Sequence, residues 1–308
     1  MSNSVTGSEI LVGVDGSAAS DAAVRWAARE AAMRRLPLKL LHAVQPTFLR
    51  SAEGPTDDAI TQSQIDHARR IVDASRALVD QLMLGTPVDV RTEVQYARIA
   101  PTLAEASEQA WMIVVGSRGR DAVEEHVLGS VSAGLLNHAQ CPVAIVHEPG
   151  SAQQHIRDDA PVLVGIDGSP TSEAATALAF DEASRRGVPL VALHAWSDVG
   201  VFPVLGMDWR KYRDEGAEVL AERLAGWQER YPDVHVQPRL LCDVPDKWLI
   251  EESKNVQLVV LGHRRRGAPP EKHLGSVRHA VARSASVPVI VTPPPSQEQH
   301  TQVKKPPT

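Results

Sequence analysis

The sequence predicts an α/β protein built as two tandem, doubly wound five-stranded parallel-sheet domains, each of strand order 3-2-1-4-5 and related to the other by a pseudo-two-fold. Three observations predict it. The chain repeats itself: ILVGVDGSAAS at 10–20 returns as VLVGIDGSPTS at 162–172, and LKLLHAV at 38–44 returns as LVALHAW at 190–196, both at an offset of 152. Farther along, VVGSRGR at 114–120 answers VLGHRRR at 260–266, HVLGSVSAGL at 126–135 answers KHLGSVRHAV at 272–281, and CPVAIV at 141–146 answers VPVIVT at 287–292, now at an offset of 146. A six-residue deletion inside the second copy accounts for all five matches. Secondly, short apolar β-rich runs alternate with longer helical patterns. Thirdly, those runs are apolar on both faces, which requires a parallel sheet covered on two sides, and right-handed crossovers then make it doubly wound.

Taken in order, the first-half strands are ILVGVD, LKLLHAV, VDVRTEV, WMIVVG and PVAIVH. Between the first two, DAAVRWAAREAAMRR spaces its apolar residues by three and four and ends in cations, which complement the helix dipole. Residues 61–84 and 99–110 keep the same period, the latter with Pro101 in its first turn, where a missing N–H costs nothing, and a fourth helix is expected near 129–138. The domains are expected at 1–147 and 161–292. The polar, aperiodic EPGSAQQHIRDDA at 148–160 reads as a linker, and PPPSQEQHTQVKKPPT at 293–308 reads as a disordered tail with no core to build.

Composition narrows the functions. With 308 residues, 43% hydrophobic and 23% charged, the chain is of globular type and long enough for two cores. A net charge of −6 argues against sequence-independent attraction to nucleic acid, and 4% aromatics leaves few platforms for stacked bases. MSNSVTGSEI lacks a basic segment followed by an apolar one, and no run has the length of a membrane span, so a cytoplasmic protein is expected. Cys141 and Cys242 lie in unlike contexts without metal-ligand spacing and read as structural. Trp26, Trp111, Trp196 and Trp227 fit core or domain contacts. His42 and His194 flank apolar runs without a carboxylate partner in sequence and read as structural too.

In an open doubly wound sheet a ligand binds beyond the carboxyl ends of the strands where the winding reverses. For order 3-2-1-4-5 that crevice lies between the first and fourth strands, which end in Asp15 and Gly116. The loop GSRGRDAVEEHVLGS at 116–130 sits there. Its glycines allow close backbone approach or positive φ, and Ser130, opening a helix, presents a hydroxyl and the first free amides of that helix to an anion, phosphate being the natural guest. No GK[ST] follows, and no GxGxxG follows the first strand, so neither dinucleotide nor Walker signature applies. A bare carboxylate repels phosphate. Asp15 therefore suits hydrogen bonds from a base or ribose, or a Mg²⁺, unless it serves with Ser17 as a helix cap.

Gly116-x2-Gly119-x9-Gly129-Ser130, with the GVDGS start, the LHAV second strand and the GSVS-GLL-CPVAIV finish, resembles the universal stress protein family in its tandem form, over nearly the whole chain. The resemblance implies ATP, or ADP, as ligand, with Mg²⁺ carried by the phosphates and no protein ligand to it assigned. It implies that Asp15 and the backbone at Ala43 lie near adenine, with Gly13 in the pocket wall. The loop residues Gly116, Ser117, Arg118, Gly119 and Arg120 would lie near ribose and phosphates, and Gly129, Ser130 and Val131 around the phosphates. In the second half Gly165, Asp167, Ala195, Gly262, His263, Arg264, Gly275, Ser276 and Val277 take the matching places, and Asp198 is a further ribose candidate. Arg265 departs from the pattern, standing where Gly119 stands. If that position needs positive φ, arginine is strained there, although it adds a cation beside the phosphates.

The expected function is a regulatory, ATP-binding stress-response protein with little or slow hydrolysis, dimerising through its apolar edge strands PVAIVH and VPVIVT and meeting regulatory protein partners. Nothing in the sequence supplies a nucleophile or base dedicated to the γ-phosphate. The alternatives are a nucleotide-independent dimerising module and, from the enzyme class, an adenylating or ATP-hydrolysing enzyme. The latter is disfavoured because GVDGSAAS lacks paired glycines of the SGGxDS type.

Overall fold

The computed structural model describes residues 8–44, 57–119, 128–148, 158–167, 172–195, 209–241, 245–263 and 277–293. By contacts between Cα atoms the chain divides into two units, 1–156 with 279–290, and 157–278 with 291–308.

In the first unit β1 (Ile10–Gly13), β2 (Leu38–Ala43), β3 (Val90–Gln95), β4 (Met112–Gly116) and β5 (Val143–Val146) alternate with α1 (Ala18–Arg34), α2 (Asp57–Leu82), α3 (Ile99–Ala106) and α4 (Ser130–His138). The strands lie in the order β3-β2-β1-β4-β5. Every pairing is parallel, with Ile10 beside both Leu38 and Met112, Leu38 beside Val90, and Ile113 beside Val143. The winding therefore reverses between β1 and β4. Ile10, Leu11 and Val12 are almost wholly buried, as are Met112, Ile113 and Val114, which is what a central parallel strand with helices on both faces requires. At the edge, β3 exposes Arg91 and Thr92, charge and hydroxyl that discourage a foreign strand from pairing there.

The helix bounds differ from the expected ones for local reasons. The first helix begins at Ala18 because Ser17 caps it, its hydroxyl oxygen accepting the Ser20 N–H at 3.1 Å. It ends at Arg34 and is closed by Arg35, whose φ of 56° is the left-handed turn usually given to glycine. Its N–H returns to the carbonyls of Ala31 and Ala32. The third helix stops at Ala106, four residues short of expectation, where the Ser107 hydroxyl bonds the Ala104 carbonyl.

The second sequence repeat follows the same plan: β6 (Val162–Ile166), α5 (Ser172–Arg186), β7 (Leu190–Ala195), α6 (Trp209–Arg230), β8 (Val236–Leu241), α7 (Pro245–Glu252), β9 (Leu258–Leu261), α8 (Val277–Ser284) and β10 (Val289–Val291), with residues 279–290 of α8 and β10 counted in the first unit by their contacts. The order β8-β7-β6-β9 is again wound from the middle, with parallel pairings. Just past β10, the Thr292 N–H donates to the Leu261 carbonyl at 2.9 Å. Among the described residues no helix is long and apolar enough to cross a membrane. Cys141 is buried, and burial pushes its thiol up to about 12, which suits its structural reading. Cys242 lies outside the described residues.

Candidate functional site

At the carboxyl ends of β1 and β4 a cavity of about 760 Å³ opens. It lies where strand order reverses, and it gathers Gly13, Asp15, Ala43, Gly116, Arg118, Gly119, Gly129, Ser130 and Val131 on its wall. Residues more than a hundred positions apart in sequence are brought together by the winding alone. The wall is completed by groups that the sequence did not single out: His67 and Ile71 from α2, Ile99 and Leu103 from α3, and Ser132 from α4. His67 and Ile71 are one helical turn apart, the only trace they leave in the sequence. His42, read as structural, also lines the cavity.

Each polar group at the site is held locally. The Asp15 carboxylate accepts the Ser17 N–H through Oδ1 at 2.9 Å, and its own N–H donates to the Ser20 hydroxyl at 3.2 Å. The helix cap thus falls to Ser17 and orients Asp15 at the same time. Across the cavity, the Gly129 N–H donates to the Ser117 carbonyl at 2.9 Å and the Ser132 hydroxyl to the Gly116 carbonyl at 2.7 Å. These two bonds fasten the first turn of α4 to the end of β4, so the helix N-terminus, with its unsatisfied first-turn amides and positive dipole end, opens beside Arg118 and Gly119. Ser117 itself is buried behind the loop, its N–H bonded to Val146 at 2.7 Å, and is absent from the cavity wall.

The glycines work through proximity. A Cβ on Gly116 would lie 2.8 Å from the Ala19 carbonyl carbon, and one on Gly119 would lie 2.9 Å from Asp15 Oδ2. Neither position, nor Gly13 or Gly129, has the positive φ that the loop glycines were expected to allow, whereas Gly16 does, at 75°. The expected φ penalty at Arg265 therefore has no counterpart at Gly119. What arginine would meet in that place is the carboxylate.

Behind the loop, His147 donates from Nε2 to the Ala282 carbonyl at 2.9 Å, and its buried Nδ1 has no hydrogen-bond partner among the described residues. Burial holds this imidazole below its ordinary 6.5, and the nearby Arg118 charge acts in the same direction.

In the second unit Gly165 lies in β6, Asp167 just beyond it, Ala195 at the end of β7, Gly262 and His263 after β9, and Val277 at the start of α8, the places that their counterparts occupy in the first. Arg120 of the first site and Asp198, Arg264, Arg265, Gly275 and Ser276 of the second lie outside the described residues. Among the described residues no group of three or more His, Cys, Asp or Glu side chains is placed to hold a metal ion.

Two wound α/β repeats, each with an acid after its first strand and a glycine at the end of its fourth strand or just beyond it, define a tandem doubly wound α/β protein. A model of the universal stress protein family matches residues 8–147 and 160–293. The chain belongs to the universal stress protein family. It is 48% identical over 295 residues to a universal stress protein of Mycolicibacterium smegmatis, covering 96% of this chain and all of that one. A universal stress protein of Mycobacterium tuberculosis is 48% identical over 283 residues, 92% of this chain and 95% of its own. Among solved structures, a universal stress protein from Archaeoglobus fulgidus shares the fold with a TM-score of 0.66 at 20% identity, over 92% of this chain and 98% of that one.

Proposed function

We propose that the first domain binds an adenine nucleotide, ATP foremost and ADP as the alternative occupant, as a regulatory ligand in a stress response. The observation that carries this reading is the cavity wall, which combines the apolar side chains of Leu41, Val44, Ile71 and Leu103 with the polar loop and helix start of Gly116, Arg118, Gly119, Gly129 and Ser130. A purine has apolar faces and a triphosphate has charge, so one ligand satisfies both kinds of lining. Asp15, whose Oδ2 lies beside Gly119, suits a ribose hydroxyl or an amino group. Mg²⁺ fits as a companion of the phosphates, since Asp15 is a single carboxylate already accepting the Ser17 N–H. Amides and a cation at the phosphate end stabilise a bound anion without activating water, so turnover is slow and occupancy is the signal. Such a signal works only through different affinities for different conformations, or for assemblies such as a homodimer or a complex with a regulatory partner in the cytoplasm. The test is extraction of nucleotide from purified protein with mass analysis, followed by calorimetry with ATP. Retained ATP or ADP and measurable heat are expected. An empty protein that gives no heat would favour a nucleotide-independent dimerising module.

A further inference from the structure

The imidazole of His42 sits at the point where β1 and β2 part. The ladder between them runs from Ile10 beside Leu38 to Gly13 beside Leu41, and its last rung is the Val14 N–H donating to the Leu41 carbonyl at 2.9 Å. In a parallel ladder the next rung would bring the Ala43 N–H to the Val14 carbonyl. That carbonyl instead receives Nδ1 of His42 at 2.6 Å. A carbonyl oxygen only accepts, so Nδ1 carries the hydrogen. On its other side β2 continues: Ala43 lies beside Gln95 and the Val44 N–H reaches the Gln95 carbonyl at 2.8 Å. Only the β1 side of Ala43 is cut off from the ladder, and Ala43 lines the cavity. The second repeat builds the same imidazole contact, with Nδ1 of His194 at 2.7 Å from the Ile166 carbonyl, but its ladder runs one residue further, to Ile166 beside His194, so the release is confined to the first repeat.

We infer that His42 is a positioning residue: its imidazole takes the place of one ladder rung and so turns a backbone N–H, that of Ala43, into a donor for the ligand. A buried N–H must find an acceptor. In the cavity it selects a heterocycle presenting a bare ring nitrogen at its pairing edge, as N1 of adenine does, and rejects one presenting N1–H, as guanine does. This selectivity rests on the nucleotide reading above, whereas the release of the amide does not. A rigid ring with its donor at the δ position suits the task. Asparagine places an N–H at that position too, and leucine has none.

The experiment compares wild type with His42→Leu and His42→Asn, each checked for folding by circular dichroism and melting, in calorimetry with ATP and with GTP. Wild type is expected to prefer ATP. In His42→Leu, ATP affinity is expected to fall about tenfold, the worth of one hydrogen bond in a dry site, and the preference over GTP to shrink with it. His42→Asn is expected to restore both. Unchanged affinity and preference in the leucine variant, or no restoration by asparagine, overturns the assignment. Amide hydrogen exchange on the ligand-free proteins separates this failure from that of the nucleotide reading. The Ala43 amide should exchange faster in wild type than in His42→Leu, where the rung can close, and equal rates overturn the release of the amide whatever the protein binds. Faster exchange in a protein that binds neither nucleotide overturns the ligand reading and the base selectivity together.

Discussion

The two repeats keep their sheets in register residue for residue and diverge on their helices. Ile10 pairs with Leu38 and Met112, and Val162 pairs with Leu190 and Leu258, the same places shifted by the two offsets. The helix faces are filled differently. Ala28 of α1 corresponds to Phe180 of α5, which is fully buried and stacks with Trp227 and Tyr231 at ring-centroid distances of 6.2 and 5.7 Å. Arg34 pairs with buried Glu30 and lies 4.0 Å over the Trp111 ring, whereas Arg186 pairs with buried Glu182 and reaches Gln257 at 3.3 Å. Near the sites, Val115 becomes Leu261, so that a Cβ on Gly165 would meet Leu261 at 2.8 Å where one on Gly13 meets Val115 at 3.1 Å. Backbone pairing tolerates no slip, because a one-residue shift turns every side chain to the other face. Helix packing accepts any filling of the right volume, and that is where the copies have drifted apart.

The most forceful way to break the comparison is to remove the filling. Phe180→Ala is expected to cost about 3–5 kcal/mol, the usual penalty for emptying a buried aromatic site. Ala28→Gly, at the equivalent place in the first repeat, is expected to cost about 1 kcal/mol through helix propensity. Urea melts of both variants, with hydrogen exchange to locate the destabilised unit, test this. Equal losses would show that the ring cluster is not what holds α5 to α6. Gly116→Ala comes next. Its Cβ would press on the backbone of α1, so a loss of about 1–3 kcal/mol is expected from overpacking, read as a lower melting midpoint. An unchanged midpoint accompanied by lost nucleotide would assign this glycine to the ligand rather than to packing.

Both the repeat and the strand order were legible in the sequence, because parallel strands buried on two faces leave apolar runs and the copies align. The crevice between Asp15 and Gly116 followed from strand order alone. Less legible was the far wall. His67, Ile71, Ile99 and Leu103 reach the cavity from helices whose tilt over the sheet no periodicity encodes. The reason for the glycines was also hidden. Positive φ is a local property and close approach is a tertiary one, and only coordinates show that Gly119 is small because Asp15 is there. Ser117 stands beside the loop glycines in sequence and is turned inward by its bond to Val146, which no motif could reveal.

Placing the second repeat's residue in the first site sharpens the comparison further. Gly119→Arg brings a bulky side chain against Asp15 Oδ2, at the tip of a side chain that can yield, so stability should change little. The carboxylate would pair with the new guanidinium rather than with a ligand. A fall of about tenfold in ATP affinity is expected, equivalent to about 1.4 kcal/mol by calorimetry. Tighter binding would mean instead that the added cation outweighs the displaced carboxylate, and that the arginine of the second repeat serves the phosphates.

The smallest effect concerns His147, whose counterpart at the offset of 146 is Pro293. Burial holds the His147 imidazole below 6.5, and the charge of Arg118 adds to this, against the backbone carbonyls of Ala282, Val287 and Arg283, which favour the charged form. Because the folded value is depressed, the unfolded chain binds the proton more readily. The contribution of His147 to stability is thus complete above about 6.5 and is lost as pH falls through the folded value. The unfolding free energy of wild type should therefore decline more steeply below this pH than that of His147→Gln, which keeps a donor for the Ala282 carbonyl and carries no titrating group. The difference between the two curves, measured by urea melts at each pH, isolates this group from every carboxylate they share. Parallel curves would show that the ring is protonated in the folded protein at no cost, and that the first repeat is no more acid-sensitive at the end of β5 than the proline-bearing second repeat is beyond β10.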